Sequence, residues 1–252
     1  MLNEIILALI QAITEFLPIS SDGHLALASN ILGEPNLFFM TFLHLASLFA
    51  VVIFTRKEIA EIFKFNKQSW RLIKFIVIGI IPAALVGFFL NGLIENTLTS
   101  YLLIGIFFFF TGIIVFSTKF VKQPKNPKKL SNKNSFSIGL MQALALLPGV
   151  SRSGMTISTA MFFGIEKEKA VKFSFLMFIP LAIGAFTLET IKYSKEVVTI
   201  PALTLIVSFV VCFFFSVLFL NLLNYIVKKN KFWVFGIYCF VVGLVSILLY
   251  IL

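Results

Sequence analysis

The chain is poor in charged residues, which make up only 13% of its 252 positions. Hydrophobic residues account for 59%, and the mean hydropathy is +1.02. A soluble domain of this length could not bury so much apolar surface. The composition therefore excludes an ordinary soluble protein and predicts an all-α integral membrane protein.

Cysteines and N-terminal basic residues are also scarce. The two cysteines, Cys212 and Cys239, lie within apolar runs and indicate no disulfide framework. The N-terminal segment carries Glu4 but no Lys or Arg, so it lacks the basic region of a cleaved signal peptide. The net charge of +10 is better explained by basic loops on one side of a membrane than by nucleic-acid binding, and no nucleic-acid partner is expected.

Six apolar stretches come close to the roughly 20 residues that a helix needs to cross a hydrocarbon core about 30 Å thick. Each is predicted to form one transmembrane helix. The six stretches are residues 37–54, 73–90, 101–117, 173–190, 200–226 and 232–252.

Two further apolar regions are too short to span, and each is interrupted by a polar turn that contains a proline, Pro18 or Pro148. Short helix, polar turn, short helix is the pattern of a re-entrant hairpin. Such a break at membrane depth is tolerated only where protein or water surrounds it. Two re-entrant helical hairpins are predicted, over residues 1–34 and 135–164.

Basic residues concentrate in three predicted loops and set the orientation. Residues 55–74 hold six Lys or Arg, residues 117–134 hold six Lys, and residues 227–231 hold three. Because cytoplasmic loops are enriched in Lys and Arg, these loops are predicted to be cytoplasmic and both termini external. The first hairpin then enters from outside and the second from the cytoplasmic side.

Each hairpin is followed by three predicted spans, so the second half of the chain should be inverted relative to the first. A weak internal similarity supports this, since the Pro-x-x-Ser pattern at Pro18 recurs at Pro148. An inverted-topology repeat of this kind would bring the two polar hairpin tips together near the midplane. The predicted single membrane domain, residues 1–252, comprises pseudo-repeat 1–116, cytoplasmic linker 117–134 and pseudo-repeat 135–252.

The first hairpin tip carries polar and ionisable residues. Gln11 and Glu15 are four apart and share one helical face. Ser21 and His24 can meet if the second half-helix starts near Ser20, and either serine could cap that helix. Ionisable side chains at membrane depth are costly, which makes these residues functional candidates.

The second tip, "PGVSRSGMT" over residues 148–156, combines a helix start with hydroxyl groups and Arg152. These groups and free backbone N–H groups favour an anion, and phosphate best matches the arginine fork. On the facing tip, Glu15 and Asp22 would repel a phosphate unless a divalent cation lies between them. Mg²⁺ or Ca²⁺ is therefore predicted.

A lone histidine in a membrane helix is more often a satisfied polar residue than a functional one. We interpret His24 as functional because Glu15, Ser21 and Arg152 accompany it. His44 lies within an apolar span, and we expect it to support the structure or the site.

Together, "QAITEFLPISSDGHL" and "LLPGVSRSGMTIS" resemble the two signature regions of the undecaprenyl-diphosphate phosphatase family, also called the bacitracin-resistance protein family. The resemblance covers nearly the whole chain, including "FLHLASLFAVVIFTRKEI" after the first hairpin. It implies a hydrolase of the cell membrane that removes the terminal phosphate of undecaprenyl diphosphate, a lipid carrier of cell-wall synthesis. It also implies an active site open to the outer face.

The motifs of this family fall on residues of both tips. We expect Ser21 to attack the terminal phosphorus with His24 as base or acid; alternatively, His24 activates a water directly. The predicted catalytic residues are Glu15, Ser21, His24 and Arg152. The predicted phosphate-binding residues are Ser20, Ser151, Arg152, Ser153, Gly154 and Thr156. The predicted cation ligands are Glu15, Gln11 and Asp22.

Two positions depart from the family pattern. Gln11 stands where some members have Glu, and Asp22 stands where Ser or Thr is common, which bears on metal ligation more than on the reaction. The expected partners are a polyprenyl diphosphate and membrane lipids, and a homodimer is an expectation from the family alone. Because inverted repeats with broken helices also build transporters, a flippase for a phosphorylated polyprenyl lipid is the alternative function.

Overall fold

A computed structural model describes the backbone of residues 1–33, 37–97, 100–122, 124–193 and 200–251. Side chains at 29–31, 37, 38, 90–97, 189, 192 and 193 lie outside this description. The described residues contain eleven α-helices, one short 3-10 helix at Thr118–Phe120, and no strand. The α-helices are α1 (Leu2–Thr14), α2 (Ser21–Leu32), α3 (Leu37–Phe54), α4 (Arg56–Ile62), α5 (Lys67–Thr97), α6 (Tyr101–Ser117), α7 (Asn132–Leu144), α8 (Arg152–Phe162), α9 (Lys167–Tyr193), α10 (Ala202–Lys228) and α11 (Val234–Ile251).

Both predicted hairpins form, α1 with α2 and α7 with α8. Their helices have only 11 to 13 residues. At 1.5 Å per residue each extends roughly 16–20 Å, which is too short to cross the membrane core. The last predicted residue of the first hairpin, position 34, lies outside the described residues.

Among the described residues, five helices are long and apolar enough to span a membrane, namely α5, α6, α9, α10 and α11. Residues 39–54 of α3 pass the same test together with α4, although the two helices are bent by 73°. With that bent pair counted as one span, the described residues contain six candidate spans, which agrees with the predicted number. The chain is thus an all-α multi-pass membrane protein.

The predicted span over residues 73–90 ends too early, because α5 continues to Thr97. The polar residues after position 90 mark the exit from the apolar core but not the end of the helix. The 31 residues of α5 extend about 46 Å, close to the full thickness of a bilayer with its headgroups. Residues 98 and 99, and residues 194–199 between α9 and α10, lie outside the described residues.

Helices α6 and α11 pack through paired glycines. A Cβ added to Gly105 would lie 2.9 Å from the carbonyl oxygen of Gly243, and a Cβ added to Gly243 would lie 2.9 Å from that of Gly105. Gly112 and Gly236 approach in the same reciprocal way, at 3.1 and 2.7 Å. The reversed order of the two pairs shows that the helices are antiparallel, and small residues let their backbones approach closely.

Several of the helix contacts occur in pairs that exchange the two halves of the chain. In an inverted repeat α1 corresponds to α7, α3 to α9 and α5 to α10. The contact of α1 with α10 then corresponds to that of α7 with α5, and the contact of α3 with α10 to that of α9 with α5. The α6–α11 and α3–α9 contacts each map onto themselves. An inverted repeat produces this pattern, while the boundaries of the two pseudo-repeats and of the linker stay a prediction.

The first hairpin tip is embedded in the protein core. Phe16, Leu17 and Ile19 of the turn are buried in the largest hydrophobic cluster, which also contains Phe108 of α6 and Phe175 of α9. The rings of Phe16 and Phe175 meet edge to face with centroids 5.7 Å apart. Protein therefore surrounds the broken backbone, as such a break requires.

Candidate active site

The two hairpin tips are in direct contact. Ser20 Oγ accepts hydrogen bonds from the backbone N–H of Gly149 at 3.1 Å and of Gly23 at 3.4 Å. Ser153 Oγ donates to the carbonyl oxygen of Leu17 at 3.1 Å. Ser20 thus caps α2 and also bridges the hairpins, which brings the two signature motifs together.

A strained backbone conformation at one residue and the lack of a side chain at two glycines allow this close approach. Ser20 has φ of +66°, a left-handed conformation that costs a residue with a Cβ about 1–3 kcal/mol. Gly149 has φ of +95°, and a Cβ there would lie 2.5 Å from the carbonyl oxygen of Ile104. A Cβ on Gly23 would lie 2.7 Å from the ring of Phe108. The glycines are therefore needed to seat both tips against α6.

The carboxylate of Glu15 lies at the centre of the polar residues. Its Oε2 accepts from Ser21 Oγ at 2.8 Å and from Gln11 Nε2 at 3.1 Å. Its Oε1 accepts from Arg152 Nη2. Glu15 is only 7% exposed, so these donors replace the water that a carboxylate would otherwise bind.

Arg152 is the first residue of α8 and reaches Glu15 from the second tip. Its guanidinium carbon lies 3.8 Å from the centre of the Phe178 ring, a cation–π contact. Its Nη1 is buried and has no hydrogen-bond partner among the described residues. An unsatisfied guanidinium nitrogen is costly in an apolar setting, and an anionic ligand would satisfy it.

His24 and Ser21 form hydrogen bonds with other residues and not with each other, although their spacing would allow them to meet. His24 Nδ1 lies 2.7 Å from the carbonyl oxygen of Ser20 and must carry the hydrogen, so Nε2 of the neutral ring accepts from the hydroxyl of Tyr238 at 2.9 Å. The His24 and Tyr238 rings are stacked with centroids 5.6 Å apart. The two side chains do not bond to each other because Ser20 rather than Ser21 caps α2, and Ser21 turns toward Glu15.

His44 of α3 lies beside the same carboxylate. Its Nδ1 donates to the carbonyl oxygen of Met40 at 2.9 Å, and its Nε2 lies 3.7 Å from Glu15 Oε2. The structure therefore places His44 where it can support the site, and its role stays a prediction.

The predicted phosphate-binding hydroxyls of the second tip are bonded to protein groups. Ser151 Oγ accepts from the backbone N–H of Gly154 at 3.1 Å and so caps α8. Thr156 Oγ1 donates to the carbonyl oxygen of Arg152 at 2.8 Å and lies 2.6 Å from Ser174 Oγ. Phosphate binding by these buried hydroxyls would require an exchange of partners, and it stays a prediction.

Two of the three predicted cation ligands are adjacent. Gln11 Oε1 is buried without a hydrogen-bond partner, next to the Glu15 carboxylate. Asp22 is exposed in the first turn of α2. In the part of the chain that the structure describes, no three His, Cys, Asp or Glu side chains form a group that could hold a metal ion. One carboxylate and one unsatisfied amide oxygen fit a hard cation that takes its other ligands from substrate and water.

Three residues that shape the site are hard to recognise from the sequence alone. Thr111 of α6 donates to the carbonyl oxygen of Gly149 at 2.9 Å and accepts from the backbone N–H of Ser151 at 3.0 Å. Its position in a run of Phe and Ile was the available signal. Tyr238 and Phe178 lie in apolar spans, where aromatic residues are too common to stand out.

The fold and site define a multi-pass membrane protein with a buried acid–arginine pair assembled from two half-membrane hairpins. The family model described as "Bacitracin resistance protein BacA" matches residues 4–245. The chain belongs to this family, which confirms the resemblance seen in its two motifs.

Relatives match along nearly their whole length. A protein named undecaprenyl-diphosphatase from Thermosipho africanus is 40% identical over 250 residues, covering 97% of this chain and 98% of the relative. Proteins of the same name from Methanococcus vannielii and Bacteroides thetaiotaomicron are 39% and 41% identical. These alignments cover 96% and 98% of this chain, and 98% of each relative.

Proposed function

We propose that this protein hydrolyses undecaprenyl diphosphate to undecaprenyl monophosphate and inorganic phosphate, which recycles the lipid carrier of cell-wall polymer synthesis. The observation that carries the proposal is the Glu15–Arg152 pair at the junction of the hairpins, with Arg152 Nη1 unsatisfied. The name shared by the full-length relatives supports the choice of substrate.

Arg152 binds the diphosphate. One of its terminal nitrogens is bonded to Glu15, while the other is buried without a partner and can donate to a phosphate oxygen. Its contact with the Phe178 ring holds the plane of the guanidinium in place. A planar fork held in this way suits two oxygens of one phosphate.

Ser21 is the nucleophile, and Glu15 is its base. As a bond forms between Ser21 Oγ and the terminal phosphorus, the hydroxyl proton passes to Glu15 Oε2, which already accepts it at 2.8 Å. The bond from phosphorus to the bridging oxygen breaks, and undecaprenyl monophosphate leaves with the electron pair. Phosphoryl transfer depends mostly on positioning and charge stabilisation, so this small set of groups suffices.

His24 acts in the second step. The carbonyl of Ser20 fixes its Nδ1–H, which leaves the lone pair of Nε2 to take a proton from water once the Tyr238 hydroxyl gives way. A bond forms between the water oxygen and phosphorus, the bond to Ser21 Oγ breaks, and Ser21 regains its proton from Glu15. In the alternative, His24 activates a water that attacks the diphosphate directly; trapping a phosphoserine would separate the two.

A divalent cation, Mg²⁺ or Ca²⁺, would be held by the oxygens of Glu15 and Gln11, with Asp22 as the third predicted ligand. When bound, it would neutralise phosphate charge. The unsatisfied Gln11 Oε1 supports this assignment.

We also propose that the site faces the extracytoplasmic side of the cell membrane. The lysine-rich linker and the basic segments after α3 and α10 support this orientation, because such segments remain in the cytoplasm.

The test is release of inorganic phosphate from undecaprenyl diphosphate by purified protein in detergent with Mg²⁺, with Arg152→Ala as the matched inactive control. Release that disappears in the variant and with a chelator supports the proposal. If phosphate is not released while vesicles containing the protein move the lipid between leaflets, the flippase is the correct function.

A further inference from the structure

A polar cavity lies away from the hairpin tips, where helix ends that carry lysines meet. It has a volume of about 230 Å³. The 3-10 helix that follows α6, the start of α9 and the turn after α10 converge on it. None of its residues takes part in the proposed hydrolysis. The lining residues are Thr118, Lys119, Val121, Lys167 and Asn230.

Two of the lining residues are lysines whose ammonium groups have no carboxylate partner among the described residues. Lys119 Nζ lies 4.6 Å from the centre of the Trp233 ring and 5.6 Å from that of Phe116. Lys167 Nζ donates to Asn230 Oδ1, a neutral oxygen. Both ammonium groups are thus held by uncharged partners and keep an uncompensated positive charge.

Neighbouring lysines differ in this respect. Lys169 Nζ lies 2.7 Å from a carboxylate oxygen of Glu166, and Lys228 Nζ lies 3.3 Å from one of Glu168. The acids of this region are therefore paired with lysines that do not line the cavity. Two like charges without a counter-ion at one concave surface favour a bound anion.

Aromatic residues of the segments that form the cavity indicate where that anion comes from. Phe120 ends the 3-10 helix and is 73% exposed, and Tyr225 lies in the last turn of α10 and is 59% exposed. Trp233 directly precedes α11. Aromatic and basic side chains at the ends of spans lie at the level of lipid headgroups. We propose that the cavity binds the phosphodiester group of an anionic membrane lipid between Lys119 and Lys167.

The test is native mass spectrometry of the purified full-length protein with added phosphatidylglycerol or phosphatidylcholine. We expect phosphatidylglycerol to bind at least about tenfold more tightly than phosphatidylcholine, and Lys119→Gln/Lys167→Gln to remove that preference. Lys119→Arg/Lys167→Arg should retain it. The matched control Lys125→Gln/Lys133→Gln removes two exposed lysines outside the cavity and should change the preference less than about twofold.

Unchanged phosphate release from undecaprenyl diphosphate would show that the cavity variants remain folded, and a detergent melting curve serves the same purpose if the proposed hydrolysis fails. Equal losses in the cavity and control variants would overturn the proposal, because binding would then follow net charge alone. Displacement of phosphatidylglycerol by an equal concentration of inorganic phosphate would also overturn it, because the site would then bind free phosphate.

Discussion

The two hairpin tips use the same capping arrangement but present different chemistry. In the first, Ser20 caps α2 and accepts from the backbone N–H of Gly23; in the second, Ser151 caps α8 and accepts from that of Gly154. Each tip thus contains the same Ser-x-x-Gly pattern, and Ser20 is structurally equivalent to Ser151. Alignment on the prolines pairs Ser21 with Ser151 and is out of register by one residue.

The corrected register pairs Ser21 with Arg152, the first residues of their helices. Both side chains bond to the carboxylate of Glu15, one to each oxygen. The repeat thus supplies two equivalent positions, of which one carries the proposed nucleophile and the other the guanidinium proposed to bind phosphate. The remaining hydroxyls of the second tip are bonded within the protein. We therefore expect the first tip to supply the reacting groups and the second tip to hold the diphosphate through Arg152.

Substitution of Arg152 should have the largest effect on the reaction. Arg152→Ala should lower the rate of phosphate release by about 10³-fold, because it removes the charged donor to phosphate. It should also destabilise the protein, since breaking a buried pair costs about 3–5 kcal/mol. Arg152→Lys preserves a charge near Glu15 without the fork and should still lose about 10²-fold. Near-normal phosphate release by the lysine variant would show that the bidentate contact is not needed.

Substitution of the two adjacent serines of the first tip should have different effects, because Ser21 is proposed to react and Ser20 to support the structure. Ser21→Ala should lower phosphate release by at least about 10²-fold and abolish any phosphoserine intermediate. Ser20→Ala removes a cap worth about 1 kcal/mol and leaves the backbone N–H of Gly149 unsatisfied, so it should mainly lower the melting temperature. Equal loss of activity in both variants, with equal stability, would contradict the assignment of Ser21 as nucleophile.

The sequence predicted the elements better than their contacts. Hydropathy and the prolines marked the α1–α2 and α7–α8 hairpins because these signals depend on composition over many residues. Which serine caps α2 depended on one strained φ angle at Ser20, stabilised by the N–H of Gly149 from the other half of the chain. No local pattern encodes a bond between residues so distant in sequence, and the pairing of Ser21 with Glu15 rather than His24 followed from it.

Gln11 tests whether the first tip also holds the cation. Gln11→Glu places a second carboxylate beside Glu15 on the same helical face, so the concentration of Mg²⁺ needed for half-maximal activity should fall about tenfold. A Mg²⁺ titration of phosphate release measures this concentration. If Asp22→Asn rather than Gln11→Glu changes the Mg²⁺ requirement, the cation is bound nearer the start of α2.

Tyr238 tests how His24 is held. Tyr238→Phe preserves the stacked ring and removes a hydroxyl that must leave His24 Nε2 before this nitrogen takes a proton, so phosphate release should change by less than about threefold. Tyr238→Ala also removes the stacking and should be slower. A loss in Tyr238→Phe as large as that in His24→Ala would place the tyrosine hydroxyl itself in the reaction.

The smallest effect on the reaction is expected at the buried hydroxyls of the second tip. Thr156→Val removes the hydroxyl next to Ser174 Oγ and should lower the free energy of unfolding by about 1–3 kcal/mol, with KM for the lipid diphosphate nearly unchanged. Thr159→Val is the matched control, because the Thr159 hydroxyl bonds only to the carbonyl oxygen of Met155 in its own helix. Phosphate release at varied substrate concentration and melting in detergent measure the two effects. A tenfold rise in KM at unchanged stability would instead make Thr156 a phosphate ligand, and the second tip would then share the chemistry of the first.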